Sequence, residues 1–251
     1  MTEVTVVGTG AIGGAVAEIL REGRLPGCSL WAAVNSRSAA DEVHAAIEAA
    51  DVVVEATGIT AAAGLVQAAV PAGTDIVLCS AGALAGPAPA GLHTGPGRIL
   101  LPTGAIGGLD LLSAAARAAG PDATVTHTTV KRPAALDLGE LAGGPIEVFR
   151  GSARQAIRRY PRTANSSATL ALATVGLERL EVVVVADPAA THTVHRISWT
   201  SPIGEYQFEI RNAVSETSCG RTSLITAWSV IHTISGLHQG FGTGILVGAW
   251  P

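Results

Sequence analysis

The first chemistry legible in the chain is a glycine pattern near its start. Gly8-Thr9-Gly10-Ala11-Ile12-Gly13 follows directly on an apolar run. Gly8 permits a tight turn, Gly10 lets backbone approach a diphosphate, and Gly13 lets a helix pack closely on a strand. The N–H groups of the helix that opens at Ala11 and Ile12 add donors and the positive end of a dipole. Such a pattern alone is common. Between a buried strand and an amphipathic helix it reads as a dinucleotide site.

The second strand ends in Val34-Asn35-Ser36-Arg37. No carboxylate stands there to hold a ribose 2′-OH, whereas Asn35, Ser36 and Arg37 suit a 2′-phosphate. The expected cofactor is therefore NADP or NAD, with this loop tipping the balance towards NADP.

Proton chemistry has two further candidates. His192 and His195 lie between two strands after Ala186-Asp187-Pro188. An HxxH spacing near Asp187 evokes a metal site, but no third ligand is evident, and no metal is expected. Histidine is suited to proton transfer near neutrality. Of the 16 Lys and Arg residues only Lys131 is a lysine, and it sits where a strand runs out into a loop. It could bind a carboxylate or be one more surface cation; its survival among 15 arginines favours a need for a compact ammonium. His44, His93, His127, His232 and His238 show no partner pattern and read as structural.

The remaining composition excludes several classes. A net charge of −4, with no Lys/Arg cluster beyond the spread Arg154, Arg158, Arg159 and Arg162, argues against nucleic acid as a partner. Cys28, Cys79 and Cys219 are scattered without CxxC spacing, which fits a reducing compartment better than zinc or disulfides. The start of the chain lacks the features of a secretory signal, so a cytoplasmic location is expected. No Asp, Glu, Lys or Arg occurs from Thr222 to Pro251, yet histidines, glycines and hydroxyls there argue against a membrane span. Burial within the protein or in a subunit interface accounts for that tail better.

These residues need elements to position them. Strands are expected at residues 3–8, 30–34, 51–55, 75–79 and 98–101. Helices are expected at 11–21 and at 65–70, the latter stopped by Pro71 and Gly73, and residues 82–97 read as loop. Strands alternating with helices predict an α/β fold with a parallel sheet covered on both faces. After residue 110 the character changes. A strand at 123–130 precedes a helix capped by Ser152 and Gln155 and ended by Pro161. A helix at 166–178 follows, with Asn165 as its N-cap, then a strand at 181–186. Residues 195–200 and 205–211 form a hairpin with one wet face, and a helix spans 222–234. Thr-Gly-Ala-Ile-Gly-Gly occurs at both 9–14 and 103–108 without flanking similarity. A shared need for tight turns before helices suffices to explain it.

Taken in order, these segments resemble the L-aspartate dehydrogenases. The matching stretches are Gly8–Gly14, Ala50 to Ala56, Ser80–Leu84, Pro102–Asp110, Thr128–Pro133, Gly151–Arg154, Tyr160 to Asn165, Ala186 to His195, and Thr222–Leu224. The resemblance implies an N-terminal Rossmann doubly wound parallel sheet with a second α+β domain. The boundaries expected are 1–110, 111–221 for the substrate and dimerisation domain, and 222–251 returning to the first domain. It further implies a homodimer and reversible NAD(P)-linked deamination of L-aspartate to iminoaspartate, which yields oxaloacetate and ammonia. His195 would be the general acid/base and Lys131 would hold a substrate carboxylate. Ala56, Ala105 and Asn165 would contact cofactor, and Ser80, Thr163 and Thr193 substrate. The family's usual Asn is Thr163 at one position and Thr193 at another, and its Asn-Pro-Lys is Cys219-Gly220-Arg221. The loop after the second strand is shortened. These departures leave open an imine reductase acting on another amino acid or keto acid, or a non-catalytic NADP(H)-binding sensor.

Overall fold

The computed structural model describes residues 1–86, 95–214 and 222–239. They form two compact units. One comprises 1–83, 95–102 and 227–239, the other 84–86, 103–214 and 222–226. The units thus divide at 102/103 and 226/227, where residues 110/111 and 221/222 were expected.

The first unit is a five-stranded parallel sheet in the order β2-β1-β3-β4-β5. Its strands are β1 (Thr2–Val7), β2 (Cys28–Val34), β3 (Val52–Glu55), β4 (Asp75–Leu78) and β5 (Ile99–Leu100). The Val-rich runs of β1, β3 and β4 are buried on both faces, as a parallel sheet requires. Helices α1 (Ala11–Arg21), α2 (Ala40–Glu48) and α3 (Ile59–Ala72) form the crossovers. Val4, Val6, Val52, Val54 and Val77 share one core with Val16 and Leu20 of α1. That core also takes Ala227, Val230, Ile231 and Ile234 of α7 (Ile225–Gln239). On the other face the Thr5 hydroxyl donates to the Ala46 carbonyl of α2 at 2.8 Å.

The second unit is a mixed sheet in the order β10-β9-β6-β8-β7. Its strands are β6 (Thr124–Lys131), β7 (Ile146–Ser152), β8 (Glu181–Ala186), β9 (Thr193–Ser201) and β10 (Gly204–Asn212). Only β6 and β8 pair in parallel; the other pairs are antiparallel. Helices α4 (Leu109–Ala119), α5 (Ala153–Arg159) and α6 (Asn165–Ala173) belong to this unit. In the β9–β10 hairpin Glu205, Gln207, Glu209 and Arg211 are exposed, and Arg196 and Arg211 both bind Glu209. The wet face expected of that hairpin is present.

Several expectations need correction. Pro71 does not stop α3, which continues to Ala72, because a proline in the last turn forfeits little before left-handed Gly73 ends the helix. Asn165 is not a cap but the first residue of α6; Ala164 holds the cap position without a side-chain cap bond. That helix also ends at Ala173, before left-handed Gly176, and not near residue 178. The closing helix is Ile225–Gln239 and not 222–234. Helices α2 and α4 and strand β7 were not anticipated. The Ser152/Gln155 capping box of α5 is formed as read. His93, Cys219, Gly220, Arg221 and the tail beyond residue 239 lie outside the described residues.

Candidate active site

In the first unit, the glycine loop follows β1 beside β3, where the strand order reverses direction. Ligands of open α/β sheets bind outside the strand carboxyl ends at this point. The three glycines differ in what holds them there. A Cβ on Gly8, whose φ is +98°, would meet the Ala56 carbonyl oxygen at 2.4 Å. One on Gly13 would meet the Gly8 carbonyl oxygen at 1.8 Å. Beyond its chain neighbours, Gly10 has no protein atom within 4 Å of such a Cβ, so the fold itself does not demand glycine there. An open, exposed Gly10 at the start of α1, with no acidic residue in the first turn, fits a diphosphate. Ala11 is exposed and Ile12 half-buried in that turn.

The loop after β2 is tied to this cradle. The Asn35 amide donates to Thr9 Oγ1 at 3.2 Å, and Asn35 Oδ1 accepts the Arg37 N–H at 2.9 Å. Ser36 and Arg37 are exposed. Behind the loops lies Glu55, 0% exposed at the end of β3. Its Oε1 accepts from the Thr57 N–H at 2.7 Å, the Thr57 hydroxyl at 2.8 Å and the Ser80 hydroxyl at 2.9 Å. Its Oε2 accepts the Ser80 N–H at 2.8 Å. One buried carboxylate therefore clamps the loops that follow β3 and β4, including Ala56 and Ser80. Burial, and after it the charge of Glu55, push the neighbouring Cys79 thiol up.

In the second unit, alternation along β6 places His127, Thr129 and Lys131 on one face. Strand β9 sets His195 directly opposite Thr129. His127 is 0%, His195 2% and Lys131 4% exposed. His127 Nε2 lies 3.0 Å from His195 Nδ1, and the rings stack at 5.2 Å between centroids. His127 Nδ1 lies 2.9 Å from the Ser167 hydroxyl of α6. Thr129 Oγ1 sits 3.4 Å from His195 Nδ1. Burial, and after it Lys131, push His127 down to about 4. Burial first, then His127 and Lys131, hold His195 well below its ordinary value. Burial also pushes Lys131 down to about 8, so it still carries its proton at pH 7.

The structure thus brings His195 and Lys131 to one buried sheet face and adds His127 and Ser167, which sequence reading passed over. The signal was the i, i+2, i+4 spacing of His127, Thr129 and Lys131. His192 does not join them; it is exposed, with Nδ1 beside the Thr191 hydroxyl. Thr193 is buried at the start of β9, opposite Asn212. The Asn212 amide donates to the Ala105 carbonyl at 2.8 Å, another link the sequence did not announce. Thr163 lies half-buried in the turn before α6, and Asn165 opens that helix. Among the described residues no group of three or more His, Cys, Asp or Glu is gathered to hold a metal ion. Nor is any described helix long and apolar enough to cross a membrane.

A glycine cradle at a strand-order switch and a mixed-sheet second unit carrying a buried His–Lys face define an NAD(P)-binding α/β oxidoreductase. Residues 8–90 match the family model described as homoserine dehydrogenase, NAD binding domain. Residues 110–237 match the model described as aspartate dehydrogenase, C-terminal. The chain is 42% identical to L-aspartate dehydrogenase 2 of Bordetella pertussis over 73% of each chain. It is 34% identical to the L-aspartate dehydrogenase of a Polaromonas species, over 93% of this chain and 97% of that one. The crystal structure of aspartate dehydrogenase from Thermotoga maritima matches with a TM-score of 0.73 at 26% identity, covering 98% of this chain and all of that one. The chain belongs to the aspartate dehydrogenase family.

Proposed function

We propose that this protein oxidises L-aspartate to iminoaspartate with NAD(P)+ and also runs the reverse reaction. The observation that carries the reading is the burial of His195 and Lys131 on one sheet face, with His195 opposite Thr129, in a chain of this family. When bound, the nicotinamide cofactor supplies the hydride acceptor. Gly8, Gly10, Gly13 and the N–H groups of Ala11 and Ile12 would hold its diphosphate, with Ala56, Ala105 and Asn165 as further contacts. Asn35, Ser36 and Arg37 favour NADP, because the loop offers a cation and amide and no carboxylate.

The Lys131 ammonium binds a substrate carboxylate, and Ser80, Thr163 and Thr193 help orient the substrate. His195 Nε2 takes the proton of the water that attacks the imine carbon. It returns that proton to the departing amine, so that oxaloacetate and ammonia leave. Exposed Leu224, Ile225 and Trp228 along the start of α7 support a homodimer. The free thiols Cys28 and Cys79 are consistent with the cytoplasm.

Steady-state assays of aspartate oxidation with each cofactor test the reading. His195→Ala should abolish turnover, and the histidine assignment falls if full turnover survives. Lys131→Met should raise KM for aspartate about 10- to 100-fold, the worth of one charge-assisted hydrogen bond. A panel of other keto acids with ammonia and NADPH runs beside it, because Thr193 and Thr163 depart from the family's usual asparagines. Faster turnover of another keto acid would reassign the substrate.

A further inference from the structure

We propose that His127, braced by Ser167, is a positioning residue that sets the tautomer and ring orientation of His195. The proposal rests on His195 as the acid/base group. It adds how a buried imidazole with no carboxylate beside it among the described residues is kept ready for that task.

A fully buried imidazole carries two nitrogens that each need a partner. His127 satisfies both, Nδ1 with the Ser167 hydroxyl at 2.9 Å and Nε2 with His195 Nδ1 at 3.0 Å. In the neutral pair only one proton lies between His127 Nε2 and His195 Nδ1, so the two tautomers are locked together. If Ser167 donates, His127 carries its proton on Nε2, and His195 must accept at Nδ1 and carry its own on Nε2. That order fails once His195 is doubly protonated, because two N–H groups then oppose each other.

If Ser167 accepts from His127 Nδ1–H, then His127 Nε2 accepts from His195 Nδ1–H. His195 Nε2 is then bare and can take a proton. When it does, the Nδ1–H bond to His127 persists and becomes charge-assisted, hence stronger. The second order supports both states of a general acid/base and is the one assigned here. His127 fills the place that a carboxylate fills in a Ser-His-Asp triad, without adding a charge. Among the described residues the neighbouring strand contributes no compensating anion: β8 places Val182, Val184 and Ala186 opposite His127, Thr129 and Lys131. Beside His195 on its own strand stand Thr193 and Ile197, and α6 supplies Ser167. Lys131 is the one charged group bearing on both rings among the described residues. A proton on His195 is thus held briefly and passed on.

The test uses the full-length protein labelled with 15N at histidine. Two-bond 1H–15N spectra of the ligand-free protein near pH 7 report which ring nitrogens carry protons. His195 should show Nδ1 protonated and Nε2 bare; the reverse pattern would overturn the proposal. In His127→Phe, His195 should become a tautomer mixture. Its kcat should fall about 10- to 100-fold, part of the roughly 10²–10⁴-fold that general acid–base catalysis supplies, with KM for NADP+ unchanged. His127→Gln, whose amide oxygen can accept the same proton, should recover part of the loss. Ser167→Ala, a smaller change, should shift the spectrum in the same direction. An unaltered His195 spectrum and unaltered kcat in His127→Phe and Ser167→Ala would sink the idea. The spectra need no substrate, so a failed His195→Ala activity test would remove the acid/base role and leave the tautomer lock separately decided.

Discussion

At the residue scale, burial governs the three ionisable side chains that β6 and β9 bring together. Because kcat/KM reports groups of the free enzyme, Lys131 at about 8 should give it a basic limb near pH 8. Above that pH the ammonium loses the charge that holds a substrate carboxylate. The acid limb should fall below pH 6.5, since His195 is held well below that value. A pH profile with the acid limb at or above 6.5 would contradict this environment. Stability follows the same groups. His127 titrates near 4 when folded and near 6.5 when unfolded, so between those values the unfolded chain binds more protons. Stability is therefore lost as pH falls from about 6.5 towards 4, by about 3 kcal/mol from this one group. Urea midpoints at pH 7 and pH 4.5, compared between the wild type and His127→Phe, should show a smaller acid loss in the variant.

At the scale of elements, the loops that build the nucleotide end depend on Glu55. Glu55→Gln replaces an acceptor-only group with one that has a single oxygen, stranding at least one of the Thr57 and Ser80 donors. A buried unpaired donor costs about 1–3 kcal/mol. The variant should melt lower and bind NADPH more weakly, as read by thermal unfolding and fluorescence titration. An unchanged Kd would show that the clamp does not shape the site. Which elements were legible has a physical explanation. The two-sided strands β1, β3, β4 and β8 announce themselves as apolar runs, and β10 as strict alternation. Helix starts were harder where Ala39, Gly58 and Gly108 hold cap positions without a side-chain cap bond: α2 and α4 were not anticipated, and α3 opens at Ile59 and not near residue 65. The glycine pattern placed the start of α1, and the Ser152 cap that of α5. Strand β7 is an edge strand with no fully buried residue, and its Ile146, Val148 and Phe149 fall out of strict alternation. The glycine loop, Lys131 and His195 were legible as types and spacing. His127 was not, because its role exists only through the β6–β9 pairing, which joins residues 68 positions apart.

At the scale of the whole molecule, the chain has to return to where it began. The first unit's core draws on β1, α1, β3 and β4 and then, after the entire second unit, on α7. The uncharged sequence from Thr222 acquires a reason here: Val230 and Ile234 are 0% exposed within that core. Arg24 also lies over the Trp228 ring at 4.8 Å, and the Thr2 hydroxyl meets His238 Nδ1 at 2.7 Å. The nucleotide-binding unit is thus incomplete until α7 is made. Ile234→Ala removes a fully buried side chain at the seam where α7 meets β1 and α1, and should cost about 2–5 kcal/mol. The loss should appear as a lower denaturant midpoint together with faster amide exchange at Val4, Val6 and Val52. Leu224→Ala, at an exposed position outside that core, should leave both unchanged. If Ile234→Ala left the midpoint and the exchange of β1 and β3 untouched, α7 would be a bystander on a unit that the first hundred residues complete alone.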